Sequence, residues 1–399
     1  MKDVFIYQAI RSPRARAKEN GGLHDLLPQE VLQQLYQHLV ERTGLDPAVV
    51  GEVILGCVTQ HGEQAGNIAK ASVMFAGWPS SVGGMTVNRF CSSGIDAIGL
   101  GALKIAAGQE QAIVAGGVEM MSRVPMLADQ AKVFMDPAFA ARCQMLMMGS
   151  GADLIASLNN VTRETADMIA VQSQQRAAHA RDNGYFKSIV PVYNPVKDIT
   201  VTQDECIRAD ATVAALGELA PAFAGIGAKG VDALQLAANE ELDEIEHIHT
   251  AGNSPAMADA AALALLGDGE LGAALGLKPR ARLVASASAS DDPLQVLSGC
   301  VVATRKLMAQ QGLNAADVDL FELHEAFAAT VVKCRNDLGI DDDKLNVNGG
   351  VIALGHPMGA TGAIMAGVLL DEMERRDVQR GIVAASGAGG SGSALLIER

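Results

Sequence analysis

With 399 residues, 49% of them hydrophobic, and 42 glycines, the chain is long enough for two or three cores or for one duplicated fold, and its composition excludes a disordered chain. A formal net charge of −15 without any basic run excludes nucleic acid and an anionic membrane surface as expected partners, and an anionic cofactor would need a local positive pocket. No CxxC pair occurs among the six cysteines, at 57, 91, 143, 206, 300 and 334, so neither a structural zinc site nor a thioredoxin-type pair is indicated, and no metal is expected.

In chain order, Val4-Phe5-Ile6-Tyr7 reads as the first strand, with no signal peptide before it. No apolar stretch reaches the roughly 18 residues of a membrane span. A soluble chain of a reducing compartment is expected, cytoplasmic or else a mature organellar form. Val53 to Cys57 reads as a buried strand. Residues 92 to 107 carry Ile95, Ile98, Leu100, Leu103 and Ile105 among Gly and Ala, the pattern of a buried helix. Ala112 to Gly117 follows as a strand that ends in glycines. This βαβ rhythm predicts an α/β fold.

From about 119 to 249 the texture changes. Met120, Met121, Met126, Met145, Met147 and Met148 cluster there, as core filler or as the lining of an adaptable tunnel. A helix is expected from about Glu164 to Asn183, then a Pro-broken stretch from Pro191 to Pro195. His247 and His249 alternate in a strand-like run without a third ligand nearby, and a structural role is expected for them. The rhythm then returns. Val318 to Phe321 reads as a strand, Thr361 to Glu374 as a helix, and Gly381 to Ala385 as a strand running into the glycine-rich Ser386 to Gly392. Cys91 lies 22 residues before Ile113, and Ala360 lies 22 before Ile382, which suggests a duplicated half.

Three side chains and one backbone segment could carry chemistry. Cys91, in Asn88-Arg89-Phe90-Cys91-Ser92-Ser93-Gly94, stands at a helix start, where the dipole should lower its pKa below the free value of about 8.5. His356, in Gly355-His356-Pro357-Met358-Gly359-Ala360-Thr361-Gly362, sits on a turn that can continue neither helix nor strand, and an imidazole beside a thiol makes an activated nucleophile. His324 stands at a strand-to-helix junction, where it could polarise a carbonyl, hold a water, or bond locally. The glycine-rich tail offers N–H groups to an oxyanion or to a phosphate.

Together, the Cys91 loop, His324-Glu325-Ala326-Phe327 and the Gly355–Gly362 run resemble the thiolase family, in its order and spacing and over nearly the whole chain. Among thiolases the chain is most similar to the 3-ketoacyl-CoA thiolases of fatty-acid β-oxidation, including thiolase subunits of trifunctional complexes. The resemblance implies two duplicated βαβαβαββ halves in a five-layered α-β-α-β-α core with an inserted loop domain. The halves would be 1–118, completed by about 250–275, and 276–399, with the insert at 119–249. It implies Cys91 as the acylated nucleophile, His356 as its base, and His324 where many members carry an asparagine that orients a water. The N–H groups of Cys91 and Ala388 would form an oxyanion hole. Coenzyme A would enter as substrate, with no tightly bound cofactor. Arg208 would meet its nucleotide end, and Pro255, Ala215 and Met147 would lie along the coenzyme side. A homodimer or homotetramer is implied, with a hydratase/dehydrogenase subunit as a further partner.

Ser386 stands where the family's second catalytic cysteine is expected, and Pro255 and Ala215 where serines are. A serine hydroxyl is a far weaker acid than a thiol, so acylation of Cys91 is expected to be well equipped and proton transfer at the α-carbon poorly so. A Cys91-His324-His356 set without a second cysteine also resembles decarboxylating ketoacyl synthases. A non-catalytic acyl-CoA-binding subunit is the third reading.

Overall fold

The computed structural model describes residues 2–399. The first half runs β1 (Val4–Arg11), α1 (Pro28–Thr43), β2 (Glu52–Gly56), α2 (Ile68–Phe75), β3 (Gly83–Val87), α3 (Ser93–Ala106) and β4 (Ala112–Met120). The chain then leaves the sheet through an excursion that includes α4 (Met148–Leu158) and α5 (Arg163–Asp182) and returns in β5 (Ala258–Gly267). The second half runs β6 (Ala281–Ser290), α6 (Gly299–Gln311), β7 (Leu320–Leu323), α7 (Ala328–Leu338), α8 (Met358–Arg376), β8 (Arg380–Ser386) and β9 (Ser391–Glu398).

The strand order is β7-β8-β9-β6-β1-β5-β4-β2-β3. In each half a parallel pair, β2 with β4 and β7 with β8, is followed by an antiparallel return, β4 with β5 and β8 with β9. The duplication expected from the matched 22-residue spacings is therefore present in the topology. One departure is the second half's counterpart of β3. It is reduced to a single parallel bridge between Phe321 and Leu345.

Strand alternation builds the layers. Ile113 and Ala115 of β4, with Val383 and Ala385 of β8, face α3 and α8 in the central cluster. Val114 faces outward to α1 and α2, and Ile382 and Ala384 face outward to α6 and α7. The result is five layers: α1/α2, sheet, α3/α8, sheet, α6/α7.

The central helices touch almost backbone to backbone. A Cβ on Gly94 would lie 2.7 Å from the Ala363 nitrogen, and one on Gly362 would lie 2.6 Å from that of Ile95. A Cβ on Gly56 would meet the Gly359 oxygen at 2.6 Å, and one on Gly117 would overlap the same oxygen. Gly56, at the end of β2, pairs with Gly117 inside its parallel neighbour β4, so together they seat the start of α8 directly on the sheet. Gly117→Ala should therefore lower stability by roughly 1–3 kcal/mol, the usual cost of overpacking. Urea denaturation reads this; an unchanged midpoint would show that α8 is not held there by backbone contact.

The candidate active site

The loop between β3 and α3 holds Cys91 through two local bonds and one to the other half of the chain. The Asn88 Oδ1 accepts from the Phe90 N–H at 2.8 Å, the Ser93 hydroxyl accepts from the Arg89 N–H at 2.8 Å, and the Ser92 hydroxyl donates to the Ala385 carbonyl at 2.8 Å. Phe90 has φ of 50°, a left-handed conformation unusual for a phenylalanine and placed immediately before the thiol. Helix α3 begins only at Ser93, two residues beyond Cys91.

His356 arrives from the other half. Its N–H donates to the Ala256 carbonyl at 2.8 Å, and Gly355 before it has φ of 93°, a conformation that favours glycine. Pro357 caps α8, so that helix starts at Met358 and not at Thr361. The imidazole Nε2 lies 3.1 Å from the Cys91 Sγ, and Nδ1 lies 2.7 Å from the Thr361 hydroxyl. With Nε2 accepting from the thiol, Nδ1 carries the hydrogen and donates to Thr361.

The electrostatics correct the expected thiol. Burial, with the negative charge of Glu119, pushes the Cys91 thiol up to about 12. The helix N-terminus does not win because Cys91 precedes the first turn, where the dipole acts. Burial, together with His324 and Arg14, holds His356 well below the ordinary histidine value. The resting pair is a neutral thiol beside a neutral imidazole. Alkylation of Cys91 by iodoacetamide should therefore keep rising about tenfold per pH unit from pH ~8 to ~10. Mass spectrometry of the Cys91 peptide measures this; a plateau below neutral pH would contradict it.

Glu119, near the end of β4, was not picked out from the sequence, although a lone carboxylate inside an apolar run was a usable signal. It is fully buried and accepts from four N–H donors, Val58 at 2.9 Å, Thr59 at 3.0 Å, the Gln64 amide at 2.8 Å and Gly359 at 2.9 Å, and more distantly from the Cys57 thiol at 3.9 Å. It thus ties the loop after β2 to the first turn of α8, on which the His356 loop rests. Thr361 also escaped attention as a partner of His356. Its signal was its place five residues on, in the first turn of α8.

His324 follows β7, is 2% exposed, and has its ring centroid 4.6 Å from that of His356. Burial, partly opposed by the nearby Ser386 backbone, brings it down to about 4. Among the described residues neither ring nitrogen has a hydrogen-bond partner. The ring borders a cavity of about 130 Å³ together with Cys91, His356, Pro255 and Met257. A second cavity of about 240 Å³ opens on the other side of Cys91, past Phe90, Phe134 and Ala388. Met126, Met148 and Met358 border both.

The remaining expected site residues fall elsewhere. Met147 caps α4 and borders neither cavity; its neighbour Met148, one step further round the helix, does. Arg208 and Ala215 are exposed and outside both cavity walls. Ser386 ends β8 fully buried. Its hydroxyl donates to the Leu297 carbonyl at 2.6 Å and accepts the Cys300 N–H at 2.9 Å, so it caps the start of α6. In the glycine-rich tail, the Gly387 N–H is taken by the Ser391 carbonyl and that of Gly390 by the Val296 carbonyl.

His247 and His249 lie in an extended segment outside any strand, because their ring bonds to Asp153 and single backbone contacts such as that of the His249 carbonyl with the Ala222 N–H do not make a ladder. Asp153 accepts from both, at 2.8 and 2.7 Å, and Asp232 lies 3.1 Å from the other nitrogen of His247. Among the described residues no group of three or more side chains could hold a metal ion, and no helix is long and apolar enough to cross a membrane.

Comparison with known proteins decides the family. The model of the thiolase N-terminal domain matches residues 4–233, and that of the thiolase C-terminal domain matches residues 277–399. The chain belongs to the thiolase family. This thiolase is 37% identical to a 3-ketoacyl-CoA thiolase of Serratia proteamaculans, with both chains covered in full. It is 35% identical, again over the whole of both chains, to a 3-oxoadipyl-CoA/3-oxo-5,6-dehydrosuberyl-CoA thiolase of Escherichia coli. The crystal structure of Bacillus anthracis acetyl-CoA acetyltransferase superposes with a TM-score of 0.87 at 34% identity, covering 100% of this chain and 99% of that one. The thiolase is thus an acyltransferase.

Proposed function

We propose that this thiolase cleaves 3-ketoacyl-CoA thioesters with coenzyme A through an acyl group carried on Cys91, in the degradative direction of fatty-acid β-oxidation. The observation that carries the reading is the 3.1 Å contact of Cys91 with His356 at the meeting point of two apolar cavities. His356 takes the thiol proton, Sγ attacks the keto carbon, acetyl-CoA leaves, and a second coenzyme A accepts the acyl group. Coenzyme A is substrate in this scheme and not a resident cofactor. Pro255 in the first cavity supports its approach from that side, and Arg208 at the surface offers a cation to its phosphates.

The second cavity supports an apolar acyl group over one ending in a carboxylate. Its wall holds no Lys or Arg, and its only charged side chain is Asp129. Lys132, three residues on, turns outward to Asp136 at 3.8 Å and to the Phe139 ring. A desolvated carboxylate without a partner is penalised. We expect kcat/KM for 3-ketooctanoyl-CoA to exceed that for 3-oxoadipyl-CoA by roughly 100-fold or more, the scale of a mispaired polar group. Equal values, or preference for the dicarboxylic substrate, would sink the assignment. Strand β3 ends the sheet, beside Met74 and Phe75 of α2 at 66% and 46% exposed, which supports a homo-oligomer; sedimentation velocity tests it.

A further inference from the structure

We infer that His324 is the catalytic residue that carries the α-carbon proton in this thiolase, working with His356, and that Ser386 takes no part in the transfer. The inference rests on the proposed acyl transfer and deepens it. It starts from two opposite side chains. The Ser386 hydroxyl is saturated: its own proton is given to the Leu297 carbonyl at 2.6 Å, and its oxygen takes the Cys300 N–H at 2.9 Å. A hydroxyl so held has no proton to offer a substrate without uncapping α6. His324 is the reverse. It is almost fully buried, neither ring nitrogen makes a hydrogen bond of sound geometry among the described residues although the Ser386 backbone lies near enough to favour its charged form, and the ring borders the cavity that also contains Cys91 and His356. Buried polar groups are normally satisfied, and one left bare toward a cavity points to a bound partner.

The chemistry balances without a second thiol. The Cys91 S–H bond breaks and its proton passes to the His356 Nε2. The Sγ–C bond forms at the keto carbon. The bond between the keto carbon and the α-carbon then breaks, and its electron pair becomes the enolate of acetyl-CoA. One proton is needed there, and one proton was released by Cys91. His324, its ring centred 4.6 Å from that of His356, delivers it to the α-carbon and is reprotonated from His356. In the second half the thiol proton of coenzyme A returns to Cys91, and no proton is gained or lost overall.

The test separates acylation from proton transfer. Purified full-length protein is incubated with acetyl-CoA in D₂O. Deuterium entering the acetyl group is followed by NMR, and acetylation of Cys91 by mass spectrometry. His324→Asn keeps an N–H that can polarise a carbonyl but cannot carry a proton. It should lose α-deuteration by about 100-fold or more while Cys91 is still acetylated to within about tenfold. Ser386→Ala should keep both within a few fold. His324→Gln is the second variant should asparagine impair folding, since the retained acetylation reports an intact site. Undiminished deuteration in an acetylated His324→Asn or His324→Gln protein would overturn the inference, as would loss of deuteration in an acetylated Ser386→Ala protein. Failure of the unaltered protein to acetylate Cys91 would instead remove the proposed acyl transfer on which the inference stands.

Discussion

Replacing His356 by alanine should lower kcat/KM for cleavage of a 3-ketoacyl-CoA by about 10³- to 10⁴-fold, the upper range for loss of a positioned general base. The reason is the unusual height of the Cys91 thiol. With burial and Glu119 holding it at about 12, only about one molecule in 10⁵ would carry a thiolate at neutral pH. The nucleophile therefore depends on a base within reach, and the 3.1 Å contact with Nε2 supplies one. His356 is itself held neutral by burial, so it is free to accept the proton. Thr361→Val should cost less. It leaves the base in place but removes the acceptor of its Nδ1–H, worth about 1–2 kcal/mol, or roughly five- to thirtyfold in rate. Steady-state kinetics on both variants checks the order. A His356→Ala enzyme within tenfold of the parent would mean that another group activates Cys91.

Glu119→Ala should be the most damaging single change outside the cysteine–histidine pair. Three backbone N–H groups and the Gln64 amide converge on this buried carboxylate. Each buried donor left without an acceptor costs about 1–3 kcal/mol, and partial refilling by water leaves a net loss of roughly 3 kcal/mol or more. Function should fall with stability, because Gly359, one of the four N–H donors, lies in the first turn of the helix behind His356. Glu119→Gln divides the two effects. It keeps the volume but removes the charge that raises the Cys91 thiol. The pH profile of Cys91 alkylation should then move to lower pH, even in the fraction that remains folded. Urea denaturation and the alkylation profile together measure this. Unchanged stability in Glu119→Ala would show that water replaces the carboxylate without loss.

Much of the fold was legible because it is written in short apolar runs. The strands around Ile54, Ile113, Phe321 and Ile382 stand where the apolar runs put them, while the helix after Cys91 buries Ile95, Ile98 and Ile105 but turns Leu100 and Leu103 out, and the helix after Pro357 starts three residues before the expected Thr361. Cys91 and His356 were legible because glycine, proline and polar residues interrupt those runs where two loops from separate halves meet. What escaped depends on three-dimensional neighbours. A cysteine near a helix start reads as activated, yet burial and a carboxylate 28 residues away in sequence, on another strand, decide the sign. Met147 and Met148 cannot be told apart until the helix phase is set. His247 and His249 mimic a strand because a period of two also arises when both rings turn to one carboxylate, here Asp153. Ser386 reads as a weak acid in the site, while its bonds make it the cap of α6.

The central claim is that Cys91 accepts the acyl group with His356 as its base. It is tested most directly by quenching the enzyme after brief mixing with 3-ketooctanoyl-CoA without free coenzyme A, then measuring the mass of the Cys91 peptide. The expected result is a six-carbon acyl adduct on Cys91, formed with release of acetyl-CoA, absent in Cys91→Ala and slowed at least 100-fold in His356→Ala. An adduct on any other residue, or acetyl-CoA released at an undiminished rate by Cys91→Ala, would contradict it.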